Sequence, residues 1–253
     1  MNSNEILFTL VEPFLSAESR TFWPGLLCTV LILGCWQFQK NKQIIRSPSF
    51  WLDVQLFCGK QLLGLFFLGS SVGITFYLST HSILWLDHHI CIPTAPKFSH
   101  TTLTLLYSLS LFMVWDASRF VLHKMMHEIP LLWNFHQVHH SAERLNPLTH
   151  YRIHPVESLL YTIRGILSTA LVSTLFYWIF RKQIPEYTLL GVPAIGLLLN
   201  TLVGNFRHSE LWFPYPHFLE KWLISPAQHQ IHHSNSREHF NKNYGTKSLS
   251  NFS

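Results

Sequence analysis

The sequence predicts an all-α fold, a multi-span transmembrane helical bundle of four to five spans that carries a histidine-rich helical cap. Three observations lead there. Only 12% of the 253 residues are charged, while 48% are hydrophobic, against roughly 25% charged in an ordinary soluble domain. Apolar runs of about span length recur along the chain, and the polar stretches beside them hold most of the 17 histidines. Those histidines repeat at helical rather than strand spacings. The formal net charge of +5 is spread without a dense basic block, which excludes a surface built to track nucleic acid. Cys28, Cys35, Cys58 and Cys91 form no C-x-x-C pair, so neither a zinc ribbon nor a disulfide framework is expected.

In chain order, residues 1–20 are mixed, with Ile6, Leu7, Leu10 and Phe14 on the apolar side of a short interfacial helix, and they lack the positive start of a cleaved leader. Residues 21–39 are uncharged and long enough to cross a hydrocarbon core of about 30 Å, giving span one. Residues 61–86 give span two. The following connection, with Pro93 and Pro96, reads as an exposed loop that keeps His88 and His89 away from the other histidines. Residues 1–100 thus form an N-terminal anchoring region with two spans, and 101–253 a second, histidine-bearing domain. Span three starts near Thr101 and does not stop cleanly. Asp116, Phe120, His123 and His127 follow at spacings of four, three and four, so one helix is expected to leave the apolar layer carrying histidines. Pro130 ends it, and LLWNFHQVHH starts another. Residues 165–180 and 187–204, joined by RKQIPE, read as spans four and five.

Three boxes carry the chemistry. His123 and His127 stand at H-x-x-x-H spacing. His136, His139 and His140 stand at H-x-x-H-H spacing, and His229, His232 and His233 repeat it. Residues three and four apart share a helix face, so each box is expected to aim its imidazoles at one point. Uncoordinated, such clusters would charge and repel near pH about 6.5. Eight imidazoles exceed the four ligands of a tetrahedral zinc and suit a dinuclear site between helices. Spacing leaves Zn, Cu, Fe and Ni open, but no H-E-x-x-H occurs, which sets aside a zinc protease. Asp116, one heptad before His123 on the same face, is expected to hydrogen-bond a ligating imidazole and fix its orientation. Glu157, with Glu128 and Glu143, is expected to balance metal charge from outside the ligand set. Twelve Lys and Arg fall on the side of the boxes and four (Arg20, Lys97, Arg181, Lys182) on the other. The boxes are therefore expected to face the cytoplasm, from a bacterial inner membrane or the endoplasmic reticulum.

The three boxes, together with Asp116, HQVHHSAE, RIHPVE at Arg152 to Glu157, the His208-Ser209 element and SPAQHQIHHS followed by NKNYG, closely resemble the fatty acid hydroxylase or sterol desaturase superfamily of integral-membrane di-iron enzymes. The resemblance covers roughly residues 100–245. It implies that the eight box histidines hold two Fe ions, with His154 and His208 as additional ligands or as groups behind the ligands. It also implies O2-dependent hydroxylation or desaturation of a C–H bond of a membrane lipid, sterol, fatty acyl or related. After Gly245 the chain departs from the family pattern, running TKSLSNFS where members carry a Trp-Asp pair and an LFGT-like turn. The sequence shows no iron–sulfur pattern and no room for a flavin or haem domain, so an external electron donor, ferredoxin or a cytochrome b5-type protein with its reductase, is expected. The competing expectation is a histidine-rich membrane metal-binding or transport protein without oxygenase activity. Its weakness is that the uncharged spans lack polar ligands at mid-membrane.

Overall fold

The computed structural model describes residues 46–90, 97–181, 207–221, 223–240 and 242–245. The expected interfacial segment, span one and span five lie outside the described residues. Within them the chain is helical and contains no strand.

Helix α1 runs Pro48–His89, with Ser47 Oγ accepting the Phe50 N–H at 3.1 Å and Pro48 in its first turn, both favourable at a helix start. Its 42 residues extend about 63 Å at 1.5 Å per residue. The residues expected as span two therefore belong to a much longer helix. The stretch after Leu86, expected as a loop, stays helical to His89, because neither Gly nor Pro interrupts residues 74–89. His88 and His89 are exposed there, and the His89 ring stacks on Trp85 at 4.5 Å.

Helix α2, His100–Glu128, is capped by Ser99 and carries both span three and the first box on one continuous element. Its buried face includes Leu103, Tyr107, Leu111, Asp116 and His123. Ile129 separates it from α3, Pro130–His140; Pro130 offers no N–H to the preceding turn, so the hydrogen-bond ladder resets. A 3-10 turn at Pro147–Tyr151 leads to α4, Pro155–Phe180. The later described elements are α5, His217–Glu220, then α6, Pro226–His232, and a 3-10 turn at Arg237–His239. Ser225 and Gln228 close a capping box at the start of α6, which pins a very short helix.

Helix α4 packs on both α1 and α2. Between α2 and α4, Tyr107, Leu111 and Val172 are buried together. Polar side chains stitch the same seam: the Tyr107 and Ser173 hydroxyls lie 3.0 Å apart, and Trp115 Nε1 donates to Thr169 Oγ1 at 3.0 Å. Small and hydroxyl residues at such a seam let helices approach closely. Both helices are long and apolar enough to cross a membrane, and their outer faces expose Leu105, Leu109, Met113, Leu167, Leu171 and Leu175. Arg181 pairs with Asp87, and Phe98 packs on Phe180 at 5.8 Å. The ends of α1 and α4 thus meet the start of α2, at the opposite end of α2 from His123 and His127.

One buried node ties α1 to the histidine end. Asp53 receives Arg152 Nε at 2.5 Å, Asn146 Nδ2 at 2.6 Å and Thr149 Oγ1 at 3.0 Å, and Arg152 Nη2 donates to the Ser49 carbonyl at 2.6 Å. Side-chain bonding thus crosses the boundary expected at residue 100. Asp53→Ala leaves a buried guanidinium without its counter-charge, and is expected to destabilise the protein by about 3–5 kcal/mol. Adding Arg152→Met to that variant should recover part of the loss in thermal unfolding of the detergent-solubilised protein. A double variant no more stable than Asp53→Ala would contradict this account of the node.

Candidate metal centre

The short helices and turns at one end of the bundle bring nine histidines into two groups. The first holds His123, His127, His136, His140 and His232, and the second His139, His208, His229 and His233; within each, the ligand atoms lie within 4.8 Å of one another. The expectation that each box aims at one point is therefore corrected. His136 and His140 join one group while His139 between them joins the other, and His229 and His233 join the second while His232 joins the first. The groups touch: His140 stacks on His233 with ring centroids 4.4 Å apart.

Hydrogen bonds behind the rings decide which nitrogen faces inward. His123 Nδ1 donates to the Tyr244 carbonyl at 2.7 Å, His136 Nδ1 to Glu157 Oε1 at 2.9 Å, and His232 Nδ1 to the Lys242 carbonyl at 2.8 Å. His139 Nδ1 reaches the Arg152 carbonyl at 3.3 Å. A neutral imidazole has one N–H, so each ring spends its proton outward and presents a bare Nε2 lone pair. Yet His123 Nε2 and His136 Nε2 stand 3.1 Å apart. Two lone pairs at that distance repel unless something positive lies between them. Nε2 of His127, His140 and His232 is buried without a hydrogen-bond partner among the described residues, a cost of about 1–3 kcal/mol each when left unmet. In the second group His208 Nε2 lies 3.2 Å from His139 Nε2 and 2.9 Å from His229 Nε2; one nitrogen cannot satisfy both with a single proton. The donor set fits a cation in each group, and neutral imidazole suits a borderline transition metal.

Burial favours the neutral form. It pushes His140, His229 and His233 well below the usual histidine range, with neighbouring imidazole charges adding to the effect. His232 is lowered from 6.5 to about 4 by burial, against the opposing bond to Lys242. The protein thus holds ligands deprotonated before any ion arrives.

The other expected residues separate. His208 joins the second group, whereas His154 joins neither: its Nδ1 accepts the Val156 N–H at 3.1 Å and caps α4, and its ring packs on Phe135 at 4.9 Å. Glu157 is buried and directly behind His136. Asp116 is buried on the α2 face that bears His123, but the Nδ1 of His123 is taken by the Tyr244 carbonyl. The negative charge of Asp116 is also felt at Arg207. Sequence reasoning missed the carbonyls of Tyr244, Lys242 and Arg152 altogether, since a backbone acceptor leaves no residue-type signature. A cavity of about 90 Å³ opens beside the groups, walled on their side by His123, His136, His139, His208 and His229.

The family model for fatty acid hydroxylase matches residues 108–250. The chain is 30% identical over 135 residues to the human alkylglycerol monooxygenase, covering 53% of this chain and 26% of that protein. It is 30% identical over 129 residues to the alkylglycerol monooxygenase of Danio rerio, covering 51% and 25%. To an ornithine lipid hydroxylase of Rhizobium tropici it is 28% identical over 130 residues, covering 50% and 34%. The matches thus span only a quarter to a third of these relatives' lengths. No solved structure matches the chain. With more than half of its length matched, and all three histidine boxes inside that match, the chain belongs to the fatty acid hydroxylase family.

Proposed function

We propose that the protein is a non-haem di-iron, O2-dependent oxidoreductase that hydroxylates or desaturates a C–H bond of a membrane lipid. The observation that carries this reading is the pair of adjoining all-histidine groups, with ring protons directed outward and inward nitrogens left facing one another. His123, His127, His136, His140 and His232 would hold one ion, and His139, His208, His229 and His233 the other. Two irons there would supply the reductive activation of dioxygen that removal of hydrogen from an unactivated carbon requires. The chain's own residues do the rest. Glu157 orients His136 and offsets positive charge beside it, while the carbonyls of Tyr244, Arg152 and Lys242 fix the tautomers of three further rings.

Substrate class follows from the relatives, an alkylglycerol monooxygenase and an ornithine lipid hydroxylase, both named for lipids. Membrane placement is supported by the apolar outer faces of α2 and α4, and the cytoplasmic side by the bias of Lys and Arg toward the boxes. Electrons come from an external ferredoxin or cytochrome b5-type donor.

Anaerobically loaded protein should bind about two irons per chain. His232→Ala should strip the ion of the first group and His229→Ala that of the second, each lowering iron toward about one per chain and abolishing lipid oxidation. Iron retained after all three boxes are replaced refutes the proposal, and iron bound without reductant-driven O2 consumption favours the metal-storage alternative. Glu157→Ala should weaken iron binding or turnover by about 10–100-fold, with Glu157→Gln milder because its amide oxygen still accepts from His136.

The metal-free protein should also be acid-sensitive in a defined window. His232 is lowered in the folded state, so unfolded chains take up protons first. Its contribution to stability is complete above about pH 6.5 and is lost as pH falls through about 4. A melting temperature unchanged from pH 7 to pH 4 would contradict the buried, neutral state of the box.

A further inference from the structure

The cavity beside the histidine groups is lined by cations as well. Lys60 from α1, Arg119 from α2 and Arg207 line it, with Glu157 as the one carboxylate among the lining residues described. Glu157 is already committed through Oε1 to His136. Arg207 is only 3% exposed, and its Nε has no hydrogen-bond partner among the described residues. Arg119 lies over the Tyr161 ring at 5.2 Å and Lys60 over the Tyr151 ring at 5.1 Å, so both heads are held beside aromatic faces. Three cations thus line one cavity whose own lining supplies one carboxylate, with Asp116 acting on Arg207 from outside it. Two metal ions held by the neutral imidazoles of the same lining would add positive charge to it.

We infer that this cavity is an anion-binding chamber that takes a phosphate or carboxylate group among Lys60, Arg119 and Arg207, beside the histidine groups that also line it. Ser158 and Tyr161, also in the lining, add hydroxyl donors. At about 90 Å³ the chamber is well below the roughly 300–1,000 Å³ that encloses a whole small-molecule ligand. It accommodates a polar end and leaves an alkyl chain outside, against the apolar faces of α2 and α4. The C–H bonds nearest the histidine groups are then those close to the anionic end of a substrate, not those of the distal chain. This inference rests on the lipid oxidoreductase reading and narrows its substrate to lipids with an acidic polar end.

The test uses the full chain, iron-loaded, in nanodiscs of phosphatidylcholine, with binding measured for inorganic phosphate, a monoacylglycerol phosphate and the monoacylglycerol of the same chain. The phosphate lipid should bind at least about tenfold more tightly than the neutral one. In Lys60→Gln/Arg119→Gln that preference should vanish while iron content stays at the wild-type level. Lys124→Gln, which removes an exposed cation paired with Glu128, should keep the preference. If inorganic phosphate shows the same dependence on Lys60 and Arg119 and the lipid adds nothing to it, the chamber serves a free anion; if only the lipid binds, it serves a headgroup. Equal binding of phosphate and neutral lipids, or a preference that survives the double variant, overturns the inference. Iron content separates the two levels: a wild-type preparation that takes up no iron sinks the functional reading, whereas iron bound without anion preference sinks only the chamber.

Discussion

Two bare imidazole nitrogens facing one another at 3.1 Å, on His123 and His136, are the constraint on which the histidine end of the molecule depends. Neither ring can turn its proton inward without abandoning a strong acceptor behind it, the Tyr244 carbonyl or Glu157. The arrangement is unfavourable for a metal-free core and well suited to a cation. Pre-positioning of this kind requires that the elements behind the rings be rigid, and the fold meets that need with buried polar bonds rather than with a large apolar core.

Those supports come from every part of the described chain. The long face of α2 delivers His123, and the break at Pro130 turns α3 so that His136 meets it. Glu157 reaches His136 from the second residue after Pro155, because His154 and Pro155 start α4 there. Arg152 is held by Asp53 through its side chain while its carbonyl faces His139. A residue of α1, nearly a hundred positions away in sequence, thus sets the backbone behind a candidate ligand. Gln230 performs a parallel task for His208, donating to the carbonyls of Ser209 and Leu211 at 3.0 and 2.7 Å.

Much of this architecture was legible from local patterns. Pro130 marked the junction of α2 and α3, because proline acts within a few residues, whereas the serines that cap α1, α2 and α6 went unread and span two was expected from Gln61 rather than from Pro48. Eight of the nine histidines that gather were visible in their spacing, and His208 came from the family resemblance. What escaped was nonlocal. The helical character of residues 81–89 carries no positive signature, only the lack of a breaker. The role of His154 turned on whether its Nδ1 met a metal or the Val156 N–H, and only the path of the chain decides that. Asp116 was placed on the correct face of α2, but sharing a face does not show which of several neighbours a carboxylate meets.

The division of each H-x-x-H-H box between two groups follows from helix geometry. At about 100° per residue, positions i and i+4 lie about 40° apart around the axis, whereas i+3 lies about 60° to the other side of i and 100° from i+4. Neighbouring histidines in the doublet therefore diverge too far to meet one small ion, while the i and i+4 pair converges. His136 and His140 obey this on the first group, and His229 and His233 on the second. The boxes exchange roles across the centre, each giving a pair to one side and a single ring to the other. The first box breaks that near symmetry. His123 and His127 form another i and i+4 pair and both fall on the first group, whereas the second receives only His208 in addition. Five imidazoles thus face four, and the cavity that Arg119 and Arg207 line borders both groups, through His123 and His136 of the first and His139, His208 and His229 of the second.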